Sequence, residues 1–99
     1  MANAAVPSVT MLLSKEDENS ATCTQMKVVM NELKANYKGK LTISNIYLDD
    51  NPEIAKKYNV RYVPTLIFRK ASGEVITQEI GVKSASEIIR IFANAKVKI

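Results

Sequence analysis

A proline at the start of an apolar, β-prone segment constrains the fold of this chain more than any other feature. Residues 65–68 read Thr-Leu-Ile-Phe and follow Pro64 directly, while residues 58–60 end a short helix-like stretch before it. Because proline has no N–H to donate to a ladder, Pro64 is expected at the first residue of a strand or on an edge. A turn from a helix into a proline and then into a buried strand is also a place where folded proteins hold cis peptide bonds.

Hydrophobic patterning predicts four strands in this chain. They cover residues 9–13, 41–48, 65–69 and 74–80, and the last two are joined by a short Ala-Ser-Gly connection. The first strand reads as a buried central strand, and the last two as an antiparallel hairpin.

Three helices are predicted between these strands. Asn19 or Ser20 is expected to cap the first helix, and Gly39 to end it. Its apolar face consists of Met26, Val29, Met30, Leu33 and Tyr37. The element order is therefore β-α-β-α-β-β-α.

The starts of the other two helices carry clear capping signals. Asn51 followed by Pro52 predicts an Asx cap with proline at the first helical position, and the helix is expected to run to about Lys57. Ser84 and Glu87 match a capping box for the last helix.

This order predicts an α/β fold with a four-stranded mixed sheet. The first β-α-β unit should be parallel and the final hairpin antiparallel, with helices on both faces of the sheet. A length of 99 residues, 46% of them hydrophobic, suits one domain over residues 1–99.

Composition argues against several classes of function. The chain has one cysteine, Cys23, and no histidine, so metal sites and triad hydrolases lack required parts. The scattered basic residues argue against nucleic acid as a partner. No apolar run is long enough for a membrane span, and residues 1–5 do not resemble a secretory signal. We expect the protein to be cytoplasmic and monomeric.

Residues 58–68, Tyr-Asn-Val-Arg-Tyr-Val-Pro-Thr-Leu-Ile-Phe, closely resemble the cis-proline segment of thioredoxins. Further stretches match that family in order and without a gap: residues 30–42, 48–60, 72–75 and 80–81. The pattern-based element order is also that of the minimal thioredoxin fold.

The resemblance places Ser20-Ala21-Thr22-Cys23 on the family's Cys-x-x-Cys motif. Ser20 then stands at the position of the attacking cysteine and Cys23 at that of the resolving cysteine. A serine hydroxyl forms no thiolate and no disulfide, so the chain as written should not complete a dithiol exchange cycle. Ser20 is either the natural residue or a Cys→Ser replacement, and the sequence leaves both open.

The resemblance also implies a substrate groove. Val63 would offer its backbone to an extended substrate beside Pro64, and Gly81 would lie near the same groove. The implied partners are a protein or small-molecule disulfide or dithiol and a reductase, with no cofactor.

The chain departs from the family pattern at several positions. Asn19 stands where a tryptophan usually precedes the motif, and Ser14 stands at the buried acidic position. The extra N-terminal strand and helix of full-length thioredoxins are not expected in 99 residues. The proline that kinks the long helix is replaced near Val28 or Val29.

Three functions remain open from the sequence. The first, which we favour, is a thiol–disulfide oxidoreductase whose attacking cysteine is replaced. The second is a redox-inactive module that binds extended peptide segments at the proline groove. The third is a monothiol protein that reacts through Cys23. The acidic run of residues 16–18 is either a solvated loop or an acidic rim beside the site.

Overall fold

The computed structural model describes residues 5–99. These residues form four strands and three helices in the predicted order: β1 (Ser8–Leu13), α1 (Ala21–Asn36), β2 (Thr42–Tyr47), α2 (Pro52–Lys57), β3 (Thr65–Arg69), β4 (Val75–Ile80) and α3 (Ala85–Asn94). Within the described residues, no helix has the length and apolar character needed to cross a bilayer.

The four strands form one mixed sheet in the order β2-β1-β3-β4. β1 pairs in parallel with β2, where Leu13 lies opposite Tyr47, and antiparallel with β3, where Leu12 lies opposite Thr65. β4 pairs antiparallel with β3, so that Ile80 lies opposite Thr65. The last residues of β1, β2 and β4 and the first residue of β3 therefore meet at one end of the sheet.

The main core lies between one face of the sheet and the helices α1 and α3. Phe68 of β3 and Phe92 of α3 are fully buried, and their rings meet edge to face with centroids 5.5 Å apart. The other members of this core are Val9, Met11, Leu13, Cys23, Met26, Met30, Leu33, Leu41, Leu66 and Ile88.

The opposite face of the sheet carries α2. Ile54 of α2 and Tyr58, which follows it, line a cleft together with Leu12 of β1 and Ile67 of β3. Leu12 and Ile67 have almost no exposed surface. Helices thus lie on both faces, which confirms the predicted fold class.

α1 ends earlier than the sequence predicts. Its last residue is Asn36, and the backbone N–H of Tyr37 donates to the Leu33 carbonyl at 2.9 Å. The N–H groups of Lys40 and Leu41 then both donate to the Tyr37 carbonyl and close a turn. Gly39 lies inside this turn with a φ of +80°, a left-handed conformation that glycine adopts without steric cost. Gly39 therefore allows the turn after α1 to form, and it does not end the helix.

The predicted Asx cap of α2 is also wrong, although Pro52 does occupy the first turn. The Asn51 side chain makes no capping hydrogen bond. Its amide instead donates to the Tyr47 carbonyl at 3.2 Å, which ties the start of α2 to the end of β2. The Asn51 side chain thus bonds to the end of β2, whereas the local sequence pattern predicted a bond to the start of α2.

The capping box of α3 is present as predicted. The Ser84 hydroxyl accepts from the Glu87 N–H at 3.2 Å, and the Glu87 carboxylate accepts from the Ser84 N–H at 2.9 Å. The bonds from the backbone and the side chain of Ser84 hold the pKa of the Glu87 carboxyl below its ordinary value.

We expect Glu87→Ala to lower the urea midpoint of unfolding at neutral pH, because the cap loses its acceptor. The folded-state pKa lies below the unfolded-state pKa, so the carboxylate stabilises the fold above the unfolded-state pKa. That contribution is lost as the pH falls through the folded-state pKa, and the variant and the parent chain should converge in acid. Glu32→Ala, at an exposed position in α1, is the control. A pH-independent difference would contradict this account of the cap.

Candidate functional site

A cavity of about 380 Å³ opens at the end of the sheet where β1, β2 and β4 finish and β3 begins. One wall comes from Ser14, Asp17 and Ser20 in the segment that joins β1 to α1, and from Thr22 in the first turn of α1. The other wall is residues 60–63, which precede β3, and Leu48 completes the lining. We refer to this cavity as the groove.

Ser20 is the N-cap of α1. The sequence had left Asn19 and Ser20 open as caps. The Ser20 backbone is extended, and its hydroxyl accepts from the Cys23 N–H at 3.3 Å. The same hydroxyl lies 3.4 Å from the Thr22 hydroxyl. The side chain at position 20 therefore lines the groove at the positive end of a helix, where unpaired N–H groups favour an anion.

Cys23 lies one helical turn behind Ser20 and does not line the groove. Its side chain has no exposed surface, and it belongs to the main hydrophobic core. It is a free thiol. In the folded chain as it stands, a reagent in the groove does not meet this sulfur directly.

The segment Val63–Pro64 forms part of the opposite wall, and its peptide bond is cis. Val63 is half-buried and lines the groove, whereas Pro64 is buried behind it. The Pro64 carbonyl accepts from the Gly81 N–H at 2.9 Å. Gly81 has a φ of +94°, so a residue with a side chain would be strained there.

The structure thus brings three of the predicted site residues together along the groove: Ser20, Thr22 and Val63. Cys23 and Pro64 follow Thr22 and Val63 directly in the chain, and Gly81 is hydrogen-bonded to Pro64. Ala21 is exposed at the first position of α1 and does not line the groove.

The acidic run divides its side chains between two environments. Asp17 lines the groove, and its carboxylate accepts from the Ser14 hydroxyl at 2.9 Å. Glu18 accepts instead from the Tyr47 hydroxyl at 2.9 Å and pairs with Lys27 at 3.7 Å. The hydrogen bond to Glu18 raises the pKa of the Tyr47 phenol. The acidic rim at the groove is therefore Asp17 and not the whole run.

Arg61 and Tyr62 line the groove although sequence reasoning did not select them. Their position in the sequence could have identified them, because a cation and an aromatic ring directly precede Val63-Pro64. Within residues 5–99, no group of three or more His, Cys, Asp or Glu side chains is placed to hold a metal ion.

Comparison with curated proteins gives thioredoxins from bacteria. A thioredoxin of Chlorobaculum thiosulfatiphilum is 36% identical over 59 residues, which are 60% of this chain and 54% of that protein. A thioredoxin of Staphylococcus aureus strain Mu50 is 33% identical over 69 residues, covering 70% of this chain and 65% of that protein. The matched region thus spans roughly half to two thirds of these relatives.

Solved structures share the fold at low sequence identity. A structure described as a malarial protein superposes with a TM-score of 0.78 at 21% identity, covering 90% of this chain and 96% of the other. Thioredoxin-2, described as a component of the malaria parasite protein secretion machinery, gives a TM-score of 0.77 at 21% identity, covering 90% of this chain and 82% of the other. The family model for thioredoxin matches residues 10–94. Together with the sheet order and the groove, this match shows that the chain belongs to the thioredoxin family.

Proposed function

We propose that this chain is a thioredoxin-like thiol–disulfide oxidoreductase in which Ser20 occupies the position of the attacking cysteine. As it stands, the chain binds disulfide or dithiol substrates in the groove without completing exchange. The observation that carries the proposal is the placement of position 20 and Val63 on one cavity, with Cys23 one turn behind.

The proposed chemistry needs a sulfur at position 20. A thiolate there would attack one sulfur of a substrate disulfide, form a mixed disulfide and release the other sulfur as a thiolate, which takes up a proton. Cys23, as a thiolate, would then attack the mixed disulfide from within the helix. The products would be a 20–23 disulfide and a fully reduced substrate, with two electrons passed to it.

The groove supports the binding half of this proposal. Val63 is half-buried at the groove wall, and an extended substrate segment can pair with its backbone by strand addition. Pro64 and Gly81 would hold this wall in place, because the Gly81 N–H already fixes the Pro64 carbonyl.

Restoring the thiol tests the catalytic half. We expect Ser20→Cys to form an internal disulfide with Cys23 on oxidation, so that the count of free thiols falls from two to none. With dithiothreitol as the electron source, the variant should reduce a disulfide-linked peptide at least about tenfold faster than the parent chain. Stopped-flow measurement of the released peptide thiol gives the rate.

Ser86→Cys is the matched control, because Ser86 is an exposed position in α3 and the variant also carries two thiols. It should form no internal disulfide and show no added activity. A folded Ser20→Cys chain that keeps both thiols free after oxidation would refute the proposed exchange.

A second candidate, a redox-inactive binding module, is favoured by the burial of Cys23. A thiol with no exposed surface has no direct part in contacting a partner. The same burial weighs against the monothiol alternative, in which Cys23 itself would react.

We expect peptide binding to the groove to survive Cys23→Ala. The probe is an extended ten-residue peptide that contains serine and no cysteine, followed by ¹H–¹⁵N NMR titration. The amides of Tyr62 and Val63 should shift in both chains, with dissociation constants within about twofold. Loss of all binding in a Cys23→Ala chain that retains its fold would argue against the binding module.

The setting of this activity follows from the proposed cycle. With a cysteine at position 20, the dithiol would need a reductase partner and a reducing compartment to be restored after each turnover, so we propose a cytoplasmic setting. We also propose that it acts as a monomer, because the groove is formed within one chain.

A further inference from the structure

Tyr62 is a large aromatic side chain left in solvent at the groove. It is 66% exposed, and it lines the cavity together with Val63. Val28 on α1 is similarly exposed at 64%, but it does not line the groove. A single exposed apolar residue is ordinary, whereas an aromatic ring on the wall of a binding cavity offers contact area to a ligand.

The backbone that carries this ring is held in place. The Tyr62 carbonyl accepts a hydrogen bond from the Thr65 hydroxyl. Thr65 is 1% exposed and is paired with Leu12 on one side and Ile80 on the other. The ring therefore extends from an ordered segment, and a tyrosine with few rotatable bonds loses little conformational entropy on contact.

Arg61, the preceding residue, adds a charge to the same wall. It is exposed and lines the groove. Among the described residues, its guanidinium has no ion pair or hydrogen bond to a side chain. A guanidinium with no partner can bind a carboxylate through two parallel N–H groups.

We propose that Tyr62 and Arg61 select the substrate of the groove. The favoured occupant is an extended protein segment with an aromatic or large aliphatic side chain next to its cysteine and an acidic residue close by. The inference rests on the proposed function, because it describes the segment that pairs with Val63.

Two physical effects would give this preference. The apolar side chain of the substrate packs on the Tyr62 ring and removes both from water, and aromatic pairs gain further from edge or offset contact. The carboxylate pairs with Arg61 at the rim, where the attraction mainly fixes register and speeds association. Asp17 on the opposite wall would repel an acidic residue on that side and so favour one orientation of the segment.

The test uses four ten-residue peptides in which serine replaces the cysteine. The residue next to the serine is Phe or Ala, and a second nearby residue is Glu or Lys. Dissociation constants come from ¹H–¹⁵N NMR titration of the full chain. We expect Phe peptides to bind about threefold to tenfold more tightly than Ala peptides. Glu peptides should bind more tightly than Lys peptides at low salt, and the difference should shrink as salt is added.

Matched variants assign the preferences to residues. Tyr62→Ala should abolish the preference for Phe, Tyr62→Phe should keep it, and Val28→Ala, an exposed apolar control, should leave it unchanged. Arg61→Gln should abolish the preference for Glu, and Arg90→Gln, an exposed control on α3, should not.

The outcomes separate this inference from the proposed function. If all four peptides shift the Val63 amide with equal affinity, the selection by Tyr62 and Arg61 is refuted and the proposed groove function stands. If the preferences survive Tyr62→Ala and Arg61→Gln, the selection is again refuted. If no peptide perturbs the groove at any concentration reached, both proposals fail.

Discussion

The pairing of β1 on both of its sides is the constraint on which the site depends. β1 runs parallel to β2 and antiparallel to β3, so the chain leaving β1 towards α1 and the chain arriving at β3 meet at one end of the sheet. The groove lies between these two segments. Ser20 and Val63 are 43 positions apart in the sequence, yet both line this groove because of the pairing. A shift of one residue in the β1–β3 register would move Leu66 and Phe68 from the main core to the face that carries α2, and it would disrupt the core along with the groove.

The structural role of Ser20 is independent of the chemistry that its position could support. The hydroxyl satisfies a helix N–H that would otherwise lack a partner, so the residue stabilises the start of α1 whatever the protein does. The position also faces the groove wall at Val63 and the sulfur of Cys23 lies one turn behind it. The fold accommodates serine there, whereas a serine hydroxyl forms no disulfide. The Thr65 hydroxyl plays a comparable supporting role on the other wall through the Tyr62 carbonyl.

Sequence patterns predicted the features that depend on neighbours in the chain. The four strands and the Ser84–Glu87 capping box follow from local periodicity and spacing. The end of α1 was predicted at Gly39 because glycine commonly ends helices, but the hydrogen bonds accepted by the Tyr37 carbonyl form a turn first. The Asn51 side chain does not cap α2, because it donates instead to the Tyr47 carbonyl of β2, which lies nearby only in the folded chain.

The lining of the groove was predictable in part. Ser20 and Val63 could be identified because a resemblance connects them, whereas the burial of Cys23 depends on packing between α1 and the sheet. Tyr62 was missed because an exposed aromatic in a loop carries no periodic signal.

The most direct test of the account is the structure of a trapped complex. The chain carrying Ser20→Cys and Cys23→Ala would be joined through its new thiol to a ten-residue peptide with one cysteine, and the adduct crystallised. The account predicts an extended peptide in the groove, with its backbone hydrogen-bonded to Val63. A peptide attached at position 20 that leaves the wall of residues 61–63 exposed to solvent would contradict it.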